Sequence, residues 1–189
     1  HWSRRRQRQM CIRDSINNIV ELGAGLGRDS IFFSQNNISV TSLDYSPSGI
    51  NIINKKIHEK KIKNISTKLF DIRQKLPFED NSIDGCFSHM LYCMALSNED
   101  LINLNNEICR ILKPEGLNIY TVRNMQDGDY KNGMHISENM YENDGFIVHF
   151  FNKKKVNQLT DGFRNIKIES FEEGKFPRKL YFVVNKKIK

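Results

Sequence analysis

Three glycines at alternate positions, Gly23, Gly25 and Gly27, follow a short apolar run and precede a helical pattern. Glycine lets the backbone approach a ligand closely, and the first turn of a helix offers free N–H groups. Asp44 ends the next β-rich run. A carboxylate at that position can accept hydrogen bonds from both hydroxyls of a ribose. These residue types, in this order, predict a site for a ligand that contains a nucleoside.

The spacing of the glycines differs from that of dinucleotide-binding proteins. Their fingerprint is G-x-G-x-x-G, in which the third glycine allows the helix to pack closely on the strand. Here Gly27 comes one residue early, and Arg28 stands where the fingerprint has glycine. Glu21, two residues before the first glycine, is also unusual for that class. The pattern therefore disfavours a dehydrogenase.

The run V-E-L-G-A-G-L-G resembles motif I of class I S-adenosylmethionine-dependent methyltransferases, (D/E)-x-G-x-G-x-G. The resemblance implies that the glycine turn passes under the amino-acid part of the cofactor. It also implies that Glu21 orients this turn and the methionine ammonium, and that Asp44 holds the ribose.

Further motifs agree with this family in order and spacing. Asp71 and Ile72 follow the third β-rich run. The resemblance implies that Asp71 bonds the adenine amino group while Ile72 packs on the ring; a turn-capping role is the alternative for Asp71. The stretch that begins at Leu76 resembles L-P-F-x-x-x-S-F-D-x-V, and L-K-P-E-G at 112–116 resembles L-K-P-G-G. The resemblance covers residues 19–123.

The ends of the first four predicted strands carry the implied cofactor-binding residues. These are Glu21, Gly23, Ala24, Gly25, Gly27, Asp44, Tyr45, Asp71, Ile72, Ser88 and His89. Catalytic residues are less well defined, because transfer from a sulfonium to a soft anion mainly needs alignment and exclusion of water. An oxygen or nitrogen acceptor would make His89, Tyr130 or His135 a weak candidate for the base.

Alternating β-rich and helical patterns position these residues. The resemblance implies an α/β, Rossmann-like three-layer sandwich whose seven-stranded, mostly parallel sheet has the order 3-2-1-4-5-7-6 and an antiparallel last strand. The predicted strands are 19–22, 39–43, 65–72, 83–88, 117–122, 165–171 and 179–184. The predicted helices are 28–35, one that starts at Ser46-Pro47, 97–112 and 153–160, with a turn at Lys113–Gly116.

Residues 124–151 break this pattern, because they show no sustained period and mix Gly, Asp and Asn with aromatic residues. A long irregular insertion in a compact domain is usually functional or mobile. We expect it to be a substrate lid, since the family builds its acceptor pocket after the fifth strand. An ordered surface loop with partly buried aromatic side chains is the alternative.

The first fifteen residues fit nothing downstream. They contain five arginines and one acid, and so contribute four of the seven net positive charges. One interpretation is a basic arm that binds nucleic acid or an acidic surface. The other, which we favour, is that the segment is not native, because Q-M-C-I-R-D-S resembles translated sequencing-adapter sequence. We expect residues 1–15 to be a non-native or disordered basic segment and residues 16–189 to be a single methyltransferase domain. A segment that covers the cofactor in this family would then be missing.

Composition points to an ordinary globular domain, with 39% hydrophobic and 27% charged residues among 189. No apolar run approaches the roughly 20 residues of a membrane span, and no secretory h-region follows the N-terminal arginines. The four cysteines lack metal-type C-x-x-C pairs, so we expect no metal. We expect the thiols to be reduced and packed as small hydrophobes, with Cys86 and Cys109 in buried segments. This use of cysteine predicts a cytoplasmic protein.

We therefore expect methyl transfer from S-adenosylmethionine to a small-molecule or metalloid acceptor. The chain resembles the short enzymes of the tellurite-resistance and thiopurine methyltransferase-like group. One alternative is an RNA or protein methyltransferase, although S-H-M-L stands where N-P-P-Y would follow the fourth strand. The other is a catalytically inactive S-adenosylmethionine-binding module. The expected partner is a small molecule, with no membrane and with nucleic acid disfavoured.

Overall fold

The computed structural model describes residues 16–174 and 178–188. The expectation for residues 1–15, and Cys11 with it, lies outside these ranges. Ten strands are present in the described residues: β1 Asn18–Leu22, β2 Ser39–Asp44, β3 Ile65–Leu69, β4 Ile83–His89, β5 Leu112–Arg123, β6 Met134–Ser137, β7 Met140–Asn143, β8 Phe146–His149, β9 Phe163–Glu173 and β10 Arg178–Lys187. The helices are α1 Arg28–Gln35, α2 Pro47–Lys60, α3 Asn98–Ile111 and α4 Lys153–Gln158, with a 3₁₀ turn at Leu91–Cys93.

Seven strands form the central sheet, in the order β3-β2-β1-β4-β5-β10-β9. The first five pair in parallel, whereas β10 runs antiparallel to both β5 and β9. Because β9 and β10 are the sixth and seventh strands of this sheet along the chain, the predicted order 3-2-1-4-5-7-6 and the antiparallel last strand are confirmed. The parallel strands bring their carboxyl ends to one edge.

Alternate residues of the central strands enter two apolar clusters, one on each face of the sheet. Val20, Cys86 and Tyr120 belong to the cluster that also contains the buried side of α3. Ile19 and Phe87 belong to the other, together with residues of α1. The helices therefore cover both faces, which gives the three layers of the Rossmann-like fold.

Local signals in the sequence account for where the helices begin. The Ser46 side chain accepts a hydrogen bond from Gly49 N, and Pro47 occupies the first position of α2. Ser97 and Asp100 form a reciprocal capping box at the start of α3. Such caps satisfy backbone N–H groups that have no partner within the helix.

Two predicted strand boundaries are wrong. β3 ends at Leu69 rather than at residue 72, so that Asp71 and Ile72 lie in the turn after it. β5 begins at Leu112, and the predicted turn at residues 113–116 lies within this strand. That stretch is nevertheless irregular, because the register with β4 shifts between Ile83 and Gly85. Residues 113–116, with their proline and glycine, therefore have the sequence of a turn although they lie in an irregular strand.

The prediction of an irregular insertion at residues 124–151 is also wrong in part. Residues 134–149 form an antiparallel three-stranded sheet in the order β6-β7-β8. Each strand has only four residues, and the register shifts between His135 and Ser137. Strands this short, with a bulge, show no two-residue period that a sequence pattern could reveal. That residues 124–151 act as a substrate lid stays a prediction.

The described cysteines are free, and two of them are buried. Burial raises the pKa of the Cys93 thiol to about 12 and also raises that of Cys86. Cys109, which the sequence placed in a buried segment, is half-buried. No helix in the described ranges has the length and apolar character needed to cross a membrane. The same residues contain no cluster of His, Cys, Asp and Glu that could hold a metal ion.

Candidate active site

A cavity of about 250 Å³ opens at the carboxyl ends of β1, β2 and β3. Ligands of open α/β sheets bind at this edge. Its lining comes from the segments that follow these three strands and from the segment that follows β4. The lining residues are Gly23, Asp44, Tyr45, Phe70, Asp71, Ile72, Arg73, Leu91, Met94, Ala95 and Leu96. Five predicted cofactor-binding residues, Gly23, Asp44, Tyr45, Asp71 and Ile72, are thus brought together.

Two of the glycines serve different purposes in the turn between β1 and α1. Gly25 has φ +54°, and a Cβ added there would meet no atom of the described residues within 4 Å. Gly27 has φ +73°, and a Cβ there would lie 2.7 Å from the Cγ1 of Ile53. Gly25 therefore leaves open space beside the turn, as a ligand site needs. Gly27 instead permits close packing of the turn on α2.

Asp44 presents a carboxylate whose position is held by the main chain. Its side chain is buried, and its Oδ2 accepts a hydrogen bond of 2.7 Å from Gly25 N. Its Oδ1 accepts one of 2.8 Å from Ser46 N. A carboxylate offers about four lone-pair sites, so each oxygen can still accept a hydroxyl. Tyr45 follows with a largely exposed ring.

Glu21 lies outside the cavity lining, buried between β1, α1 and β2. The Ser30 hydroxyl donates a hydrogen bond to it, and the Ser30 and Ser42 hydroxyl oxygens are 2.7 Å apart. Burial raises the pKa of Glu21 to about 8, and the nearby carboxylate of Asp29 contributes in the same direction. Glu21 therefore links the first turn of α1 to the sheet beneath the glycine turn.

The Asp71 carboxylate is paired with its own neighbour. It accepts hydrogen bonds from Arg73 N, Nε and Nη2, the last at 2.6 Å. These hydrogen bonds hold the pKa of Asp71 below its usual value. Phe70 and Ile72 flank this pair as half-buried apolar side chains that line the cavity. The turn after β3 thus combines an apolar surface with a carboxylate that is already bonded.

Ser88 and His89 end β4 outside the cavity lining. Ser88 is buried, and its Oγ has no hydrogen-bond partner among the residues that the structure describes. The Nδ1 of His89 lies 2.9 Å from Thr121 Oγ1, and its Nε2 lies 3.2 Å from Glu173 Oε2. Both ring nitrogens of His89 are therefore engaged, and neither is free to take a proton from an acceptor in this arrangement.

The other two weak candidates for a base lie in the insertion. Tyr130 packs edge-on against Tyr141 and Phe150, with ring centroids 5.6 Å and 5.4 Å away. His135 is exposed, and its Nε2 lies 3.0 Å from Glu138 O. Neither of them lines the cavity. The structure thus does not bring the three candidate bases to the cavity.

One wall of the cavity was not predicted from the sequence. It is formed by Leu91, Met94, Ala95 and Leu96. Met90 adopts φ +56°, and the 3₁₀ turn that follows folds back toward the glycine turn. The only available signal was an apolar stretch directly after β4, which is equally typical of a core segment.

The insertion is anchored to this wall by buried polar groups. His149 is fully buried, and its Nδ1 lies 2.7 Å from Leu96 O. Its Nε2 contacts the Nζ of Lys155 and lies 3.4 Å from Glu138 Oε2. Burial, with the nearby charge of Lys155, lowers the pKa of His149 to about 4. The small sheet is thereby fixed to the segment that lines the cavity.

Residues 19–116 match a family model that is described as a methyltransferase domain. The chain belongs to this methyltransferase family. The matched range contains the glycine turn, Asp44 and every residue of the cavity lining. Family membership implies S-adenosylmethionine as the cofactor, so the protein is an S-adenosylmethionine-dependent methyltransferase.

Solved structures of methyltransferases have the same fold. A SAM-dependent methyltransferase from Methanosarcina mazei is 17% identical, with a TM-score of 0.83, and the match covers 96% of this chain and 97% of the other. An S-adenosylmethionine-dependent methyltransferase from Mesorhizobium loti is 16% identical, with a TM-score of 0.76 and coverages of 97% and 96%. TehB from Haemophilus influenzae is 19% identical, with a TM-score of 0.72 and coverages of 99% and 62%. The search of curated proteins gave no significant match.

The residues at the sheet edge fit the nucleoside part of this cofactor. Asp44 holds a carboxylate toward the cavity, and the space beside Gly25 is open. Ligand pockets are typically about 300–1,000 Å³ in volume. At about 250 Å³, the cavity suits part of such a ligand rather than all of it.

Proposed function

We propose that this methyltransferase transfers the methyl group of S-adenosylmethionine to a small-molecule or metalloid acceptor, and that the cavity holds the adenosine part of the donor. One observation carries the site assignment. The buried Asp44 carboxylate lines the cavity while main-chain N–H groups of Gly25 and Ser46 fix both its oxygens. A carboxylate held in this way is well suited to a ribose diol.

We infer the direction of the donor along the sheet edge from the order of the strands. Asp44 ends β2, and Phe70 and Ile72 follow β3, so the ribose and adenine would lie over this side of the cavity. Because β1 and then β4 come next in the sheet, the amino-acid part would extend over Gly23 toward Ser88. The reacting methyl would then lie near the carboxyl end of β4.

The residues around the cavity favour an acceptor that needs no protein base. The bound donor supplies an electrophilic methyl on a good leaving group, so the protein must chiefly align the reactants and exclude water. At the carboxyl end of β4, both ring nitrogens of His89 already have partners, Thr121 and Glu173. A thiolate, a selenolate or a similarly soft metalloid anion would react in such a site.

Calorimetric titration with S-adenosylhomocysteine tests the cofactor site. We expect saturable binding to the intact protein and at least a hundredfold loss of affinity in Asp44→Ala, because hydrogen bonds to a charged group each contribute about 1.5–3 kcal/mol. Glu59→Ala removes an exposed carboxylate on α2 and should bind as the intact protein does. Equal affinity in Asp44→Ala, or no binding to the intact protein, would contradict the assignment.

Transfer of a labelled methyl group tests the acceptor class. The protein would be incubated with labelled donor and, separately, a small thiol, an inorganic selenium or tellurium oxyanion under reducing conditions, a folded RNA and a mixed protein extract. We expect label to enter a small-molecule fraction. Label in RNA or protein, with none in the small molecules, would favour the macromolecular alternative instead.

A further inference from the structure

Glu173, at the end of β9, links three separate elements at the ligand-binding edge. Its Oε2 lies 3.2 Å from the Nε2 of His89, the last residue of β4. Its Oε1 lies 3.9 Å from the Nη1 of Arg28, the first residue of α1. The β9–β10 hairpin is thereby joined to the end of β4 and to the helix that follows the glycine turn.

The hydrogen bonds around His89 indicate which ring nitrogen accepts and which donates. Thr121 Oγ1 accepts a hydrogen bond of 3.0 Å from Met90 N, so the hydroxyl proton of Thr121 is available for donation to His89 Nδ1, 2.9 Å away. The Nε2 of His89 then carries the proton and donates it to Glu173. With both nitrogens bonded and the side chain only 13% exposed, the ring has a single orientation.

This ring lies where the part of the donor outside the cavity would reach. The cavity covers the ends of β1, β2 and β3, and β4 is the next strand of the sheet beyond β1. A nucleoside in the cavity leaves the amino-acid part directed over the glycine turn toward β4. His89 at the end of β4, and Arg28 at the end of the turn, border this path.

We propose that Glu173 is a positioning residue for the methyl donor, and that it acts through His89. It holds the His89 ring in one orientation at the end of β4, and its other carboxylate oxygen lies 3.9 Å from Arg28 at the start of α1. The amino-acid part of the donor then enters a preformed site rather than a mobile one. The inference rests on the proposed cofactor site.

Two probes separate this role from a general effect on folding. S-adenosylhomocysteine carries the amino-acid part, whereas 5′-methylthioadenosine has the same nucleoside and thioether without it. In calorimetry, we expect Glu173→Ala to weaken S-adenosylhomocysteine binding about tenfold, as for loss of a charge-assisted contact. The affinity for methylthioadenosine should stay within about twofold, since the nucleoside contacts are unchanged.

Matched variants define the control. Glu172→Ala removes the neighbouring exposed carboxylate of β9 and should leave the affinity for both probes unchanged. Glu173→Gln keeps an acceptor oxygen for His89 Nε2 and should recover most of the lost affinity. Thr121→Val removes the hydroxyl that bonds Nδ1 and should reproduce the selective loss seen in Glu173→Ala. It provides the same test where Glu173→Ala does not fold.

A double-mutant cycle tests whether Glu173 acts through His89. Residues that act as one unit give non-additive losses. We expect His89→Ala to weaken S-adenosylhomocysteine about as much as Glu173→Ala, and the double variant to lose no more than either one. Additive losses, equal weakening of both probes, or no effect of Glu173→Ala would overturn the proposal. If the intact protein binds neither probe, the proposed cofactor site itself is wrong, which is a separate outcome.

Discussion

Glu21 should make the stability of the fold fall as pH rises from about 4.5 to about 8. Burial, with repulsion from Asp29, raises its pKa from 4.5 to about 8 in the folded protein. The folded state therefore keeps a proton that the unfolded chain has released. This stabilisation is fully present below the unfolded pKa and is lost as pH rises through the folded pKa.

The expected size follows from proton linkage. For pKa values of 4.5 in the unfolded chain and about 8 in the folded one, raising the pH from about 6.5 to about 9 removes about 2 kcal/mol of unfolding free energy. With a urea m-value of about 2 kcal/mol per molar, the unfolding midpoint should fall by about 1 M. This is a large part of the stability of an ordinary domain.

Urea unfolding of the intact protein and of Glu21→Gln at these two pH values measures the effect. Glutamine keeps the shape and an acceptor for the Ser30 hydroxyl but cannot titrate. The midpoint of the intact protein should fall about 1 M further than that of the variant. Glu59→Gln, on the exposed side of α2, should behave as the intact protein does. Parallel changes in the intact protein and Glu21→Gln would refute the reasoning, because Glu21 would then be ionised in the folded state at neutral pH.

Three further substitutions separate effects on ligand binding from effects on stability. Gly27→Ala places a methyl against Ile53 in left-handed backbone, so urea unfolding should show a loss of about 2–4 kcal/mol. In Gly25→Ala the added methyl meets no atom of the described residues, so the variant should lose only about 1–2 kcal/mol of unfolding free energy. It should nevertheless bind S-adenosylhomocysteine at least about tenfold more weakly. A larger loss of stability than in Gly27→Ala would contradict this. Ser97→Ala removes the capping box of α3 and should cost about 1 kcal/mol of unfolding free energy, with S-adenosylhomocysteine affinity unchanged in calorimetry.

The part of the site that could be predicted from the sequence is the part built within one supersecondary unit. Gly25 and Asp44 lie on one strand–helix–strand unit, so their order along the chain determines that they meet, and the structure joins them by a hydrogen bond. The strand order came instead from the resemblance to class I methyltransferases, which rests on motifs carried by the parallel strands. Local patterns thus sufficed for β1, β2 and the glycine turn between them.

Contacts that depend on the docking of distant segments could not be predicted. No sequence pattern pairs Glu173 with His89, and only the packing of the β9–β10 hairpin brings the two side chains together. The cavity wall at Leu91 depends on left-handed backbone at Met90, a residue type for which that conformation is uncommon. The strands β6, β7 and β8 could not be predicted for another reason, since four residues are too few to show the two-residue period of a strand.

Asp44 and Asp71 both line the cavity, but their carboxylates should contribute unequally to affinity. Main-chain N–H groups fix Asp44, whereas the exposed guanidinium of Arg73 occupies Asp71. Exposed ion pairs contribute little, so Arg73 can move aside, but a ligand must first exchange with it. We therefore expect Asp71→Ala to weaken S-adenosylhomocysteine binding by no more than about fivefold, against at least about a hundredfold for Asp44→Ala.

Arg73→Ala should free Asp71 for the adenine amino group and raise the affinity by up to about fivefold. A loss of affinity in Arg73→Ala would instead mean that the guanidinium itself contacts the ligand, and that the turn after β3 recognises it through Arg73 rather than through the carboxylate.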